Sequence, residues 1–231
     1  MLVLIGASIF FLGIHFVIAG TRLRDGLVAR LGEKRFRLLF SAMAVVGFVA
    51  MVLGYAQAQR VVLWGPHILP LSVFFVGNLV AVLLLVIGAL TPSPNSILTE
   101  RAYREGAVEV RGILRITRHP AMLGLGLWAL MHLLANGDSA SMVFFGALAT
   151  LALLGPLSMD RKKLRLDGKR YRQILEQTSY LPFVALWGRK NSLGNQRGVW
   201  AEIGCVKLVL AMLAFVALVV VHPWIAGVAI L

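Results

Sequence analysis

The sequence predicts an all-α, polytopic integral membrane protein with about six transmembrane helices and one cytoplasmic interfacial helix. Three observations point there. The chain of 231 residues is 59% hydrophobic and only 14% charged, with a mean hydropathy of +0.83, well outside ordinary soluble usage. Apolar runs of the roughly 20 residues that a bilayer crossing needs recur along it. Lys and Arg gather in alternate connections between those runs.

The uncharged runs cover residues 1–20, 38–57, 71–91, 140–159 and 208–231, with a shorter one at 121–136. Little sequence is left for a separate soluble domain, so residues 1–231 read as one transmembrane domain. The first run has no basic residues before it and several after it, the reverse of a secretory signal. It is expected to be a retained helix. The connection at 21–37 holds six Lys/Arg, that at 92–119 five, and that at 160–199 ten, whereas 58–70 holds one and 137–139 none. Basic loops stay cytoplasmic, which puts connections one, three and five inside and both termini on the opposite face. The net charge of +13 is therefore a topology signal with some attraction to anionic lipid. The bilayer is the expected partner, and nucleic acid is not.

Within 160–187, "DRKKLRLDGKRYRQILEQTSYLPFVALW", residues Leu164, Tyr171, Ile174, Leu175 and Thr178 recur at roughly helical spacing among basic residues. That pattern predicts a helix lying in the interface, apolar face toward the lipid. Trp64, Trp187, Trp200 and Trp224 fall near predicted boundaries, where indoles with one wet edge prefer to sit. The single Cys205 forms no internal disulfide and reads as a small buried apolar residue near the last span.

Chemistry has to come from the few polar groups in the spans, because ionisable residues at membrane depth are costly. His15 lies in "FLGIHFVIAG", His132 in "LWALMHLLANGD" and His222 in "VVVHPWIAG". Histidine is the side chain most used for metals and haem iron, although a lone histidine in a bundle also serves as a hydrogen-bond donor to a carbonyl. No carboxylate lies in these runs, and zinc motifs, phosphate loops and a serine triad are absent. A second candidate is "RITRHPAM" at 115–122, where a basic stretch meets an apolar one. Pro120 suits the first turn of a helix, and Arg115 and Arg118 are expected among the headgroups.

Four segments carry a family resemblance: "GIHFVIAGTRLRDGLVARLGEKRFRLLFS" (13–41), "GILRITRHPAMLGLGLWALMHLLANGD" (112–138), "YRQILEQTSYLPF" (171–183) and "HPWIAG" (222–227). Together, in this order, they resemble the NnrU family and its relatives, the ζ-carotene isomerases. The resemblance implies an integral membrane haem b protein whose iron takes His15 and His132 as axial ligands. It also implies that Arg115, Arg118 and His119 contact the cofactor, the arginines as charge-assisted donors to haem propionates. It departs at Ala129, where the isomerases carry a cysteine three residues before the second ligand. At about 1.5 Å per residue, His15 lies roughly 8 Å and His132 roughly 20 Å from the cytoplasmic side. That offset keeps His222 as the reserve ligand.

The family's name implies a bacterial inner membrane and support of denitrification, that is, of nitrite and nitric oxide reduction. The other readings are a haem-dependent cis–trans isomerase of a carotenoid-like polyene, and a cofactor-free membrane protein that assists a reductase. "RHPAML" and "GKRYRQILEQTSYLPF" also resemble membrane methyltransferases that use S-adenosylmethionine. Their usual Tyr is Met122 here and their paired acids are Asp160-Arg161, so a shared scaffold is expected without methyl transfer.

Reporter fusions at Arg30, Ala107 and Gln173 are expected to score as cytoplasmic, and those at His67 and Gly137 as the opposite. A basic connection found outside would break the alternation.

Overall fold

The computed structural model describes residues 1–65, 68–95, 110–187 and 198–227. Among these, regular structure is helical apart from one isolated antiparallel bridge between Val62 and Asp138. Helix α1 (Leu2–Gly13) runs into a π-helical turn (Ile14–Ala19), followed by α2 (Arg22–Leu31), α3 (Glu33–Gln57) and α4 (Leu71–Leu90). After them come α5 (Ile113–Ile116), α6 (Pro120–Asn136), α7 (Ser139–Gln177), α8 (Val184–Trp187), α9 (Val199–Ile203) and α10 (Cys205–Ala226).

Five described helices are long and apolar enough to cross a membrane: Leu2–Ala19, Glu33–Gln57, Leu71–Leu90, Ser139–Gln177 and Cys205–Ala226. The expected crossing at 121–136 is the 17-residue helix α6. At 1.5 Å per residue it reaches roughly 25 Å, short of the roughly 30 Å hydrocarbon core. Pro120 opens it as expected, its missing N–H falling where no helical partner exists. The expected interfacial helix is joined to the preceding span: α7 has 39 residues and leaves helical geometry only at Asp167 and Gly168. Beyond that kink, Tyr171, Ile174 and Thr178 are buried, so the face expected to lie on lipid packs against protein. Only 11% of the apolar window of α10 is buried against 44% for α7, which makes α10 a lipid-facing helix and α7 a core one. Trp187, Trp200 and Trp224 are exposed. So is Cys205, which corrects the expectation of a buried thiol: it is the first residue of α10.

The chain forms two compact units, Met1–Phe75 with Gly126–Arg165, and Val76–Leu125 with Leu166–Leu231. In the first, α1 packs on α3, and the core gathers Leu4, Phe11, Met51, Ala129, Phe144 and Phe145. In the second, Ile87, Ile113, Ile116, Ile203 and Ala211 form the core. Two glycines there let helix backbones meet, the small-residue packing that stands in for a hydrophobic drive in lipid. A Cβ on Gly88 would sit 2.6 Å from the amide nitrogen of Ala121, and one on Gly124 2.5 Å from the carbonyl oxygen of Ala81.

Connections of like character meet. In the first unit, Arg165 reaches Asp25 and the Thr21 carbonyl, both at 3.3 Å. The Gly137 carbonyl accepts from the amides of Leu63 and Trp64 at 2.8 and 3.1 Å. In the second, Asn95 donates to the Tyr171 hydroxyl at 3.1 Å. Within the first unit, connection one thus meets connection five and connection two meets connection four; within the second, connection three meets connection five. Of the reporter positions named above, His67 and Ala107 lie outside the described residues.

Gly124→Leu is expected to destabilise by about 1–3 kcal/mol, because the overpacked neighbours are backbone atoms that cannot rotate away. Gly6→Leu, where an added Cβ meets nothing within 4 Å, is expected to leave thermal unfolding in detergent unchanged. Equal behaviour of the two variants would refute the close crossing.

Candidate functional site

His15 and His132 fall in the same compact unit, His15 in the π-helical turn and His132 one turn from the end of α6. Both are half-buried. His15 Nδ1 lies 2.7 Å from the carbonyl oxygen of Phe11, and His132 Nδ1 lies 2.9 Å from that of Trp128. A carbonyl only accepts, so each contact is a hydrogen bond when Nδ1 carries the proton. In the neutral ring the basic nitrogen is then Nε2. Two histidines far apart in sequence are fixed by one device, a bond to the carbonyl four residues earlier.

Aromatic rings surround both. Phe11 and Phe40 pack on His15 at 4.5 and 5.2 Å between centroids, and Trp128 and Phe145 on His132 at 4.5 and 5.1 Å. Phe11 touches Phe48 at 6.1 Å, Phe48 touches Phe144 at 6.4 Å, and Phe144 meets Phe145 edge-on at 5.1 Å. The ladder therefore runs unbroken from one imidazole to the other. Ala129 is fully buried in the same core.

A polar network that sequence reading missed closes one end of this ladder. Asp138 Oδ1 accepts from the amides of Ala140 and Ser141 at 2.9 and 3.0 Å, and Ser141 Oγ donates to Asp138 Oδ2 at 2.7 Å. The Tyr55 hydroxyl meets Ser141 Oγ at 2.9 Å, its ring lying 4.9 Å from Phe144. Arg60 covers that ring at 4.6 Å and approaches Asp138 at 3.7 Å. The available signal was Asp138 itself, an N-cap residue directly before an apolar helix.

The Arg-His-Pro segment belongs to the second unit, and it does not sit as expected. Arg118, expected to be an exposed anchor, is buried against protein at 8% exposed, and so is the neighbouring His119 at 2%. Arg118 donates through its amide to the Ser179 carbonyl at 2.8 Å, and its guanidinium reaches the Thr178 hydroxyl at 3.1 Å. Thr117 Oγ1 donates to the Tyr180 carbonyl at 2.8 Å, and the Phe183 amide returns to the Ile116 carbonyl at 2.8 Å. His119 stands edge-on to Tyr180 at 6.2 Å, whose phenol is pushed up by burial and stays a neutral hydroxyl. Arg115 pairs with Glu202 at 2.7 Å, both side chains nearly buried, while the other Glu202 oxygen accepts from the Gly112 amide at 2.8 Å. A small cavity beside the clamp, lined by Ser93, Leu114, Arg118, Ile174 and Thr178 among others, has room for about one water. His222, the reserve ligand, is a half-buried residue of α10 in this second unit.

No group of three or more His, Cys, Asp or Glu side chains converges among the described residues. The imidazoles described in the first unit are those of His15 and His132. That suits a macrocycle that brings its own equatorial nitrogens.

The family model described as NnrU protein matches residues 3–230. The chain belongs to the NnrU family. Curated relatives of this NnrU-family chain include the chloroplastic 15-cis-zeta-carotene isomerase of Arabidopsis thaliana, 28% identical over 175 residues, covering 71% of this chain and 45% of that protein. The Zea mays protein of the same name is 37% identical over 75 residues, covering 32% of this chain and 20% of that protein. The NnrU-family chain thus spans less than half the length of these relatives. No solved structure matches it significantly.

Glu202→Ala is expected to destabilise the NnrU-family chain by about 3–5 kcal/mol, since it strips a nearly buried arginine of its carboxylate. Thermal unfolding in detergent would read this, and a shift no larger than that of an exposed substitution such as Glu176→Ala would contradict it.

Proposed function

We propose that this chain is a haem b-binding membrane protein of the NnrU family whose activity is isomerase-like, directed at an apolar, carotenoid-like polyene. The observation that carries the reading is the matched treatment of His15 and His132. They share one compact unit, and each holds its Nδ1 on the preceding turn's carbonyl. Metal-ligating histidines are oriented this way, because the bond fixes the tautomer and aims Nε2. The two plant relatives, both named as 15-cis-zeta-carotene isomerases, favour isomerisation over the supporting role in denitrification in a bacterial inner membrane, which rests on the family name.

His15 and His132 are the residues proposed to hold the haem, each through its Nε2. The haem would supply a redox-active iron and an apolar macrocycle. The chain's own residues do the rest. The Phe11 and Trp128 carbonyls orient the two imidazoles, and Phe11, Phe40, Trp128 and Phe145 keep water from them. Four phenylalanine rings lie along the ladder between the histidines, so joint ligation of one iron makes those rings its apolar wall. Arg115, Arg118 and His119 are proposed as donors to cofactor carboxylates on the resemblance alone. As described above, Arg118 bonds to residues 178 and 179 and Arg115 to Glu202, while His119 stands edge-on to Tyr180.

Purified from haem-replete cells, the protein is expected to be coloured, with a low-spin b-type spectrum. His15→Ala or His132→Ala is expected to give high-spin or lost iron, and His222→Ala to change nothing. In a host that accumulates 15-cis-ζ-carotene, expression is expected to convert it, as followed by chromatography. A colourless protein that takes up no added haem sinks the reading, and a low-spin spectrum abolished only by His222→Ala moves the site.

A further inference from the structure

His15 stands in a π-helical turn, a feature that concentrates at functional sites because the extra residue per turn redirects a side chain. Two glycines flank the turn. At Gly13 an added Cβ would meet nothing within 4 Å. At Gly20, directly after the turn, it would collide with Ser158 Oγ and lie 2.7 Å from the Phe16 carbonyl oxygen. Gly20 and Gly13 both have ordinary right-handed helical backbone angles, so the demand at Gly20 is for space.

Ser158 lies on α7, the helix that also carries Phe145 against His132. Further along, Arg165 holds the Thr21 carbonyl and Asp25, both at 3.3 Å. Thr21 Oγ1 closes the turn by donating to the Val17 carbonyl at 2.6 Å. The end of the turn is thus gripped by α7 at successive residues. A change of register by one residue rotates a helix by about 100° about its axis. Relaxation of the turn to α-helix would therefore swing His15 away relative to everything after Gly20.

We propose that Gly20, seated on Ser158, is a positioning residue for His15: the close contact holds the π register and thereby the direction of the imidazole. The proposal rests on the haem reading above, and its test separates the two. Optical and low-temperature EPR spectra, with haem content, would be recorded for the purified wild type, Gly20→Ala, Ser158→Leu, Gly13→Ala and the double variant Gly20→Ala/Ser158→Gly.

The expected result is that Gly20→Ala and Ser158→Leu keep their haem yet show altered low-spin g values and a severalfold larger high-spin share. Gly13→Ala should match the wild type, and the double variant should return part of the way. Should Gly20→Ala fail to fold, Ser158→Leu presses on the same contact with the turn's own sequence intact. Wild-type spectra for both crowding variants, or an equal change in Gly13→Ala, would overturn the positioning role while leaving the haem reading standing. A wild type that binds no haem would overturn both.

Discussion

The carbonyl one turn back is the acceptor on which the polar side chains of this chain depend. Inside a bilayer no water can satisfy a buried hydroxyl or ring nitrogen, so its partner must come from the protein. Thr91, buried in the run 71–91, donates to the carbonyl four residues earlier at 2.7 Å, and Thr21, Thr150 and Thr178, exposed or outside the spans, do the same at 2.6, 2.8 and 2.5 Å. His15 and His132 solve the same problem in the same way. A threonine hydroxyl held this way still accepts, Thr178 from Arg118 at 3.1 Å and Thr91 from Lys207 at 3.3 Å. For an imidazole it leaves a second nitrogen whose direction is now set. A rule that only keeps polar groups quiet in lipid thus creates an oriented donor when the residue is histidine.

The two units show two ways of burying polarity. The first keeps its interior almost wholly aromatic and aliphatic and gathers charge at its ends, in the Arg24–Glu33–Arg37 cluster and around Asp138. The second brings a basic segment inward and pairs it, Arg115 with Glu202 and Arg118 with residues 178 and 179. A guanidinium taken out of water is tolerable only with fixed acceptors around it. The Arg-His-Pro stretch is therefore best seen as a structural clamp that welds the chain before α6 to the chain after α7.

How much of this the sequence disclosed follows from the range of each interaction. Crossings are properties of 20 consecutive residues and were legible as runs, except that α6 is three residues short of that length. The two histidines were legible because any ionisable residue in such a run stands out. The burial of Arg118 was not, since its partners are some 60 residues away, and a basic residue beside a membrane segment reads equally well as an anchor. Helix was expected over the stretch that ends at Gln177, but as a separate interfacial element; its joining to the span before it hangs on the backbone at Asp167 and Gly168. The π-turn left no mark in composition or periodicity. The residues of α7 that lie against its end, Ser158 and Arg165, are more than 130 positions downstream.

The Arg115–Glu202 pair also bears on how the protein is made. Its two members are 87 residues apart, and the second directly precedes the final helix. Every crossing up to α7 is synthesised before Glu202 exists, so the nascent second unit holds an arginine whose carboxylate partner has yet to arrive. Closure of that unit therefore waits until Glu202 has been made. A chain lacking Glu202 would leave Arg115, nearly buried, without its carboxylate.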